Sequence, residues 1–219
     1  NFTSPADGLY FFNATACDTA NNCNSTATRN VTIDLSAPNA IILGPQNMTI
    51  TGKQSQNFTI NITENIGLAN ATLNIFNQTG LYNQTTVLLN GITQVTIGIV
   101  VNLVNGVYSW FWTIVDLANN ILSTQTTVGN QTITIETLAP GLSIVYPVNN
   151  SNYASSVTQL NYTVSDTNLQ ACWYSLNLGA VNTSVTCGNN ITGLSGTDGW
   201  NNLTIYANDT AGNMNTSRV

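Results

Sequence analysis

Residues 106–120 read GVYSWFWTIVDLANN, in which large apolar side chains alternate with other residues as far as a closing Asp-x-Ala-x-Asn. Tyr108, Trp110, Trp112 and Ile114 fall on one face of an extended strand, because successive side chains of a strand point to opposite faces. Asp and Asn are typical of tight turns, where their side chains accept backbone hydrogen bonds. The stretch therefore predicts a strand with a buried aromatic face, followed by a hairpin turn.

The Asp-x-Ala-x-Asn ending occurs three times, at residues 18–22, 116–120 and 209–213. A glycine stands ten residues before each aspartate, and successive copies are 98 and 93 residues apart. Self-similarity at this spacing indicates a repeated domain. In the first copy, the positions that match the aromatic face are Tyr10, Phe12, Ala14 and Ala16.

Each repeat consists of short alternating runs of Val, Ile, Thr and aromatic residues, separated by Asn, Gly and Pro, with no helical periodicity. We therefore predict an all-β fold of tandem immunoglobulin-like (fibronectin III-like) β-sandwich domains. The predicted domains are the C-terminal hairpin of a partial domain at 1–36, a complete domain at 37–137, and a domain at 138–219 that lacks the end of its last strand. Such a chain is either an excerpt of a longer repeat array or is completed by strands of neighbouring subunits.

The composition excludes several classes of function. Only 5% of the 219 residues are charged, against about 25% in an ordinary domain. Three basic residues and a net charge of −6 exclude binding to a nucleic-acid backbone. Because His is absent, the commonest general base is missing, so we expect no catalytic residues and no enzyme activity. The most apolar stretch, 95–104, is too short to span a bilayer.

The abundant Asn and Thr form an unusual number of N-x-Ser/Thr acceptor sites for N-glycans. The composition predicts about eight by chance, and the sequence has 18. Asn57 and Asn61 stand opposite the apolar face of Phe58, Ile60 and Ile62, as a solvent-facing sugar requires. We predict dense N-glycosylation and an extracellular location. The acceptors are Asn1, Asn13, Asn24, Asn30, Asn47, Asn57, Asn61, Asn70, Asn77, Asn83, Asn130, Asn149, Asn161, Asn182, Asn190, Asn202, Asn208 and Asn215.

Four cysteines allow three pairings, of which the local one, Cys17 with Cys23 and Cys172 with Cys187, is favoured. Cys17 and Cys23 flank the first turn, and both bonds suit an oxidising exterior. A zinc site is the alternative, but the two pairs lie in different predicted domains and His is absent.

The repeated aspartates are candidate calcium ligands, because hard cations bind clustered carboxylates. Asp18, Asp116 and Asp209 are each followed only by an Asn four residues later, without a second acid nearby, so a turn-stabilising role is favoured. Asp34 and Glu136, which lie near the domain junctions, are the better calcium candidates. We expect no bound metal overall, and no cofactor beyond covalent N-glycans.

No acceptor site falls between Asn83 and Asn130. The face of the aromatic strand opposite its core carries Phe111 and Val115, and Val100 likewise lies off the apolar face of its own strand. Exposed apolar residues on a sugar-coated chain mark a contact surface. We predict that Val100, Phe111 and Val115 contact a neighbouring subunit or domain; the alternative is that another part of the same domain covers them.

Three phrases of the last repeat are distinctive: CWYSL at 172–176, CG at 187–188 and DGWNNLTIYANDTAGN at 198–213. With them the chain resembles the immunoglobulin-like repeats of archaeal, and some bacterial, cell-surface and surface-layer proteins. The resemblance implies tandem display outside the cell as fibres, coats or adhesive stalks. The chain departs from that family in its very low charge and its density of acceptor sites.

Together these features predict a non-catalytic, heavily N-glycosylated structural subunit of an extracellular filament, fibre or surface layer. Its expected partner is itself, as a homopolymer, with other cell-surface components as further partners. The alternative is the stalk of a cell-surface adhesin or binding protein.

Overall fold

The computed structural model describes residues 5–176, 181–197 and 199–219, and its regular secondary structure is almost entirely β-strand, which confirms the predicted fold class. The first thirteen strands are β1 (Gly8–Phe12), β2 (Thr15–Cys17), β3 (Cys23–Ser25), β4 (Arg29–Ile33), β5 (Asn39–Gly44), β6 (Thr49–Thr51), β7 (Ser55–Thr63), β8 (Leu68–Asn77), β9 (Gly80–Leu88), β10 (Gln94–Asn102), β11 (Gly106–Asp116), β12 (Ile121–Ser123) and β13 (Gln131–Ile135). The other strands are β14 (Gly141–Tyr146), β15 (Gln159–Ser165), β16 (Leu169–Leu176), β17 (Asn182–Val185), β18 (Ile191–Thr192), β19 (Leu203–Asp209) and β20 (Met214–Arg218).

The chain divides into two units. The first comprises residues 1–48, 56–101 and 107–133, and the second comprises residues 49–55, 102–106 and 134–219. Residues 5–36 therefore belong to the same unit as the middle sandwich. The predicted domain boundaries stay predictions.

The middle sandwich has a three-stranded sheet, in the order β10-β7-β5, and a larger sheet in the order β6-β13-β11-β8-β9, with β12 beside β11. Strands β7 and β11 each turn one apolar face inward, and Phe58 meets Trp110 edge-on at 5.0 Å between ring centroids. A fully buried side chain of this size stabilises the fold by about 1.5–3 kcal/mol. The predicted core residues Tyr108, Trp110, Trp112 and Ile114 are all buried, which confirms the inward face.

The second unit contains a three-stranded sheet, in the order β14-β15-β18, and a four-stranded sheet in the order β17-β16-β19-β20. Its core consists of Leu160, Tyr162, Ile191, Leu194, Leu203 and Ile205. The first strand of each sandwich ends in a cis X-Pro bond, Gly44–Pro45 in one and Tyr146–Pro147 in the other. These matching positions agree with the predicted repeat.

The first copy of the repeat forms a hairpin in which β1 pairs with β4 and β2 pairs with β3. Tyr10 and Phe12 lie in strand β1 as predicted, but they are 37% and 46% exposed, so the expected core face is not buried here. Ala14 and Ala16 are exposed as well.

One short helix, α1 (Thr124–Val128), departs from the helix-free prediction. Five residues make little more than one turn, which is too short to produce a helical period of apolar residues in the sequence. The Thr124 hydroxyl accepts a hydrogen bond from the Trp112 backbone N–H at 2.9 Å, which fastens the helix to β11.

Candidate functional site

The three repeated aspartates form the same tight corner. In the middle sandwich, Asp116 Oδ1 accepts hydrogen bonds from the N–H groups of Ala118 and Asn120, and Asp116 Oδ2 accepts one from Asn120 Nδ2, all at 2.8 Å. Asp18 makes the same three contacts with Ala20 and Asn22. The predicted turn-stabilising role is confirmed.

The corner of the last repeat is built the same way around Asp209. Its Oδ1 accepts from the Asn213 N–H at 2.8 Å and its Oδ2 from Asn213 Nδ2 at 2.9 Å. Asp116 and Asp209 are fully buried, whereas Asp18 is exposed. In the exposed corner, the hydrogen bonds from the side chain and backbone of Asn22 lower the pKa of Asp18.

The expectation that no second acid lies near these corners is wrong for two of them. Asp34, Glu64 and Asp116, here called the first acid cluster, offer carboxylate oxygens that all lie within 4.8 Å of one another. Glu136, Asp166 and Asp209, the second acid cluster, meet the same criterion. Asp34 and Glu136, the two calcium candidates from the sequence, are therefore each brought together with a buried corner aspartate.

Equivalent strand ends supply the acids of both clusters. In the first cluster, Asp34 follows β4, Glu64 follows β7 and Asp116 ends β11. In the second, the same order holds for β13, β15 and β19. Sequence reasoning missed Glu64 and Asp166, although a signal was present: each stands 30 residues after its partner, from 34 to 64 and from 136 to 166.

The first acid cluster is incompletely hydrogen-bonded. Asp34 Oδ1 accepts from the Ser36 N–H at 3.3 Å, and Glu64 Oε1 accepts from the Asn65 N–H at 2.6 Å. Asp34 Oδ2 and Glu64 Oε2 are buried and have no hydrogen-bond partner. Burial raises the pKa of Asp34; the Ser36 N–H opposes this rise, while the charges of Asp116 and Asp7 add to it.

Asp7 lies beside this cluster and holds the segment after β4. Its carboxylate accepts hydrogen bonds from the Ser36 hydroxyl, from the Leu35 N–H at 2.8 Å and from Asn65 Nδ2 at 3.0 Å. The Ser36 hydroxyl makes the largest contribution to lowering the pKa of Asp7, and the Leu35 N–H adds to it. Asp7 is therefore satisfied by neutral donors.

The second acid cluster is closed by an amide. Asn168 Nδ2 donates a hydrogen bond to Glu136 Oε2, and the Asn168 N–H donates one to Asp166 Oδ1 at 2.6 Å. One asparagine thus joins two of the three acids. The Asn168 carbonyl also accepts from the Thr210 N–H at 2.8 Å, next to the Asp209 corner.

Seventeen of the predicted glycan acceptors lie among the described residues, and none of the seventeen is buried; Asn1 lies outside the described residues. Asn77 Oδ1 accepts hydrogen bonds from the N–H and hydroxyl of Thr79, the threonine of its own acceptor motif. The acceptors are not equally accessible, because the side-chain oxygens of Asn161 and Asn208 are buried and the Nδ2 atoms of Asn61, Asn208 and Asn215 donate hydrogen bonds within the fold. Occupancy stays a prediction.

Both expected disulfides form. Cys17 is bonded to Cys23 and Cys172 to Cys187, and there is no free cysteine in the described part of the chain. The first bond closes the turn of the β2–β3 hairpin, and the second links β16 to the segment after β17.

The predicted contact residues do not form one surface. Phe111 and Val115 lie on β11 in the larger sheet, whereas Val100 lies on β10 in the three-stranded sheet. Phe111 is half-buried and its ring stacks on Phe76 at 5.8 Å between centroids. The acceptor Asn70 pairs with Val115 across the ladder, so the gap between acceptor sites in the sequence does not leave this face of the fold free of acceptor sites.

Comparison with known proteins assigns no family. No protein-family model matches the chain, and no curated protein matches it. Within the described ranges, the structure has no helix of the length and hydropathy that a membrane crossing needs.

Solved structures of similar architecture exist at low identity. Fibronectin(III)-like modules of Clostridium thermocellum CbhA are 11% identical, with a TM-score of 0.39 over 82% of this chain and 92% of that one. A tetra-tandem repeat from the extending region of a large adhesion protein is 20% identical, with a TM-score of 0.41 over 97% of this chain and 56% of that one. A solved chain from a 1.5-MDa bacterial ice-binding adhesin is 12% identical, with a TM-score of 0.37 over 85% of this chain and 64% of that solved chain.

Proposed function

We propose that the chain is a non-catalytic, N-glycosylated structural subunit of an extracellular filament, fibre or surface layer. Its immunoglobulin-like domains would contact further copies of the same chain, and its glycans would provide the solvation that charged side chains give to other proteins. The two disulfides suit an oxidising exterior. None of the seventeen described acceptor residues is buried, which suits a sugar coat.

The observation that carries the proposal is the bare apolar face of the β1–β4 hairpin. Tyr10, Phe12 and Val31 share this face and are 37%, 46% and 44% exposed. The matching positions of the middle sandwich, Tyr108 and Trp110, are buried. A two-stranded hairpin is marginally stable in water unless another layer covers it, so this face calls for a partner. Preceding strands of a longer repeat array and a second copy of the chain are the two candidate partners, and we propose the second copy.

Electron microscopy of the native, glycosylated material tests the proposal. We expect regular filaments or lattices with an axial repeat of one or two domains. Discrete rods that do not associate would overturn the homopolymer and favour the alternative, a stalk that holds a separate recognition module away from the cell.

A pair of variants sharpens this test. Phe12→Ser removes an apolar side chain from the bare hairpin face, and Leu43→Ser removes one of similar exposure, 46% against 49%, from β5 of the sandwich. We expect Phe12→Ser to abolish or shorten the filaments and Leu43→Ser to leave them unchanged, with both variants keeping the circular dichroism of the native fold. Equal assembly of the two variants would contradict the role of the hairpin.

A further inference from the structure

The first acid cluster contains more negative charge than its hydrogen bonds satisfy. Asp34 is 9% exposed and Asp116 is fully buried. Asp34 Oδ2 and Glu64 Oε2 are buried oxygens without a hydrogen-bond partner. Native proteins almost always provide buried polar atoms with a partner, because a carboxylate oxygen taken out of water loses its hydration. Five other buried polar atoms of the described residues also lack a partner, but all five belong to neutral side chains, on Trp110, Trp112, Asn161, Ser175 and Asn208. The two oxygens of Asp34 and Glu64 belong to acids and therefore point to a missing ligand.

The hydrogen-bond donors already present are all neutral. Asp34 and Glu64 accept backbone N–H groups one or two residues away, and Asp116 accepts from its own corner. None of these donors carries a positive charge, so three carboxylates within 4.8 Å of one another remain uncompensated. Like charges at this distance repel strongly in a partly buried site.

In the second acid cluster, hydrogen bonds from an asparagine satisfy the same arrangement of acids without an ion. There the Asn168 amide donates to Glu136, and its carbonyl receives the Thr210 N–H. In the first cluster the equivalent bond runs from the Leu117 N–H to the Gly67 carbonyl, at 2.9 Å. Gly67 thus takes the place of Asn168 and has no side-chain amide that could donate a hydrogen bond.

No side chain fits at Gly67. A Cβ built there would lie 2.9 Å from Leu117 Cδ1 and 3.0 Å from the Gly91 carbonyl oxygen, both closer than ordinary contact distance. The neighbouring Asn65 donates its amide to Asp7 at 3.0 Å and has a smaller, pKa-lowering effect on Asp34, but it reaches neither Asp34 Oδ2 nor Glu64 Oε2 within hydrogen-bond distance. The first cluster is therefore denied the internal donor that satisfies the second.

We propose that the first acid cluster, Asp34, Glu64 and Asp116, binds a divalent cation with a preference for oxygen ligands, namely calcium. Oxygens bound to one calcium ion lie at most about 5 Å apart, twice the Ca–O distance, and the three carboxylates meet this limit as they stand. Calcium accepts six to eight oxygen ligands in a flexible geometry, whereas magnesium requires a near-ideal octahedron and gives up its water reluctantly, so irregularly placed carboxylates favour calcium. Carbonyl groups and water would complete the shell of a calcium ion.

The fold gives the ion a route and a mechanical role. Glu64 lines a surface recess together with Ser36, Ala37, Asn39, Thr63 and Asn65, so an ion can approach this member of the cluster from solvent. Asp34 belongs to the segment that leaves the hairpin, whereas Glu64 and Asp116 belong to the middle sandwich. One ion held by all three would fasten the hairpin to the sandwich.

Calcium titration of the whole 219-residue chain tests the proposal. The chain is stripped with EDTA, dialysed, and titrated with calcium chloride alone in a calorimeter, while its melting temperature is followed in parallel. We expect saturable binding and a higher melting temperature with calcium. Absence of both effects at millimolar calcium would overturn the proposal, and binding of magnesium in preference to calcium would overturn the assignment of the ion.

Three variants locate the site. Glu64→Gln keeps shape and removes one charge, and Asp34→Asn does the same at the second unpartnered oxygen, so each should weaken calcium binding about tenfold or more. Asp18→Asn is the control, because Asp18 occupies the same corner without neighbouring acids. The Asp18→Asn chain should bind calcium with the affinity of the unchanged chain. If Glu64→Gln does not fold, the calcium affinity of Asp34→Asn alone tests the site. Wild-type affinity in both cluster variants would contradict the site.

Discussion

The first and second acid clusters each have three acids at equivalent strand ends. The two clusters differ in the hydrogen bonds that their carboxylates accept. In the second cluster, Asn168 donates its amide to Glu136. In the first, Gly67 stands where Asn168 would be, and two carboxylate oxygens keep no partner. The position of acids in a fold therefore does not by itself define an ion site. Whether the acids bind an ion depends on whether a neighbouring side chain already donates hydrogen bonds to them.

The exposed Asp18 corner is a third member of the comparison. It keeps every hydrogen bond of the Asp116 corner but has neither the burial nor the neighbouring acids. The Asp18 corner therefore shows how much the hydrogen bonds of the turn alone contribute to the free energy of unfolding.

The largest effect is expected when a buried corner loses its aspartate. Asp209→Ala removes the acceptor of the Asn213 N–H and amide in a fully buried site, and this should cost about 2–4 kcal/mol in the free energy of unfolding of that sandwich. Denaturant unfolding measures it. Asp18→Ala, in the exposed corner, should cost clearly less. Equal losses in both variants would mean that burial does not matter to the corner.

A moderate effect is expected from Asn168→Ala, which makes the second cluster resemble the first. Loss of the amide leaves Glu136 Oε2 without its donor, which should destabilise the second unit by about 1–2 kcal/mol in the absence of calcium. Calcium should restore part of this loss and bind at one additional site. Melting curves with and without calcium measure both effects.

The matched change in the first cluster is Asn65→Ala. The Asn65 amide donates to Asp7 at 3.0 Å, and its effect on Asp34 is the smallest of those that shift the pKa of that carboxyl. The substitution should leave calcium binding intact. Two results together would contradict the roles assigned to the two amides. These are loss of calcium binding in Asn65→Ala and no effect of calcium on the stability of Asn168→Ala.

The smallest effect concerns pH and the Asp18 corner. Hydrogen bonds from Asn22 lower the pKa of Asp18 below its usual value of 3.8, so the folded hairpin favours the ionised form. The stability that this carboxylate contributes is therefore present above the unfolded pKa and is lost as the pH falls through the lower, folded pKa. A carboxyl carbon NMR titration should find Asp18 below 3.8, and Asn22→Ala should return it towards 3.8. A value above 3.8 in the native chain would contradict the corner geometry.

Local sequence patterns predicted most of the fold. Alternation at 108–114 identified the buried aromatic face, and the repeated Asp-x-Ala-x-Asn identified the corners, because both depend on residues close together in the chain. The two disulfides could be predicted for the same reason. Each of these features is decided within one strand or one hairpin.

The acid clusters and the contact face could not be predicted in this way, because they depend on strand order. Glu64 reaches Asp116 across 52 residues of sequence, since both lie at strand ends that the sandwich brings together. Val100 and Phe111 are near in sequence, but β10 and β11 belong to different sheets. Only the 30-residue spacing shared by Asp34–Glu64 and Glu136–Asp166 was visible beforehand as a sign of a repeated site.

The most direct test of the difference between the two clusters is a crystal structure of the chain grown with calcium, with anomalous data collected at long wavelength. We predict an anomalous peak surrounded by Asp34, Glu64 and Asp116, and none among Glu136, Asp166 and Asp209, where Asn168 already supplies a donor. A peak only at the second cluster, or none at the first, would contradict the account.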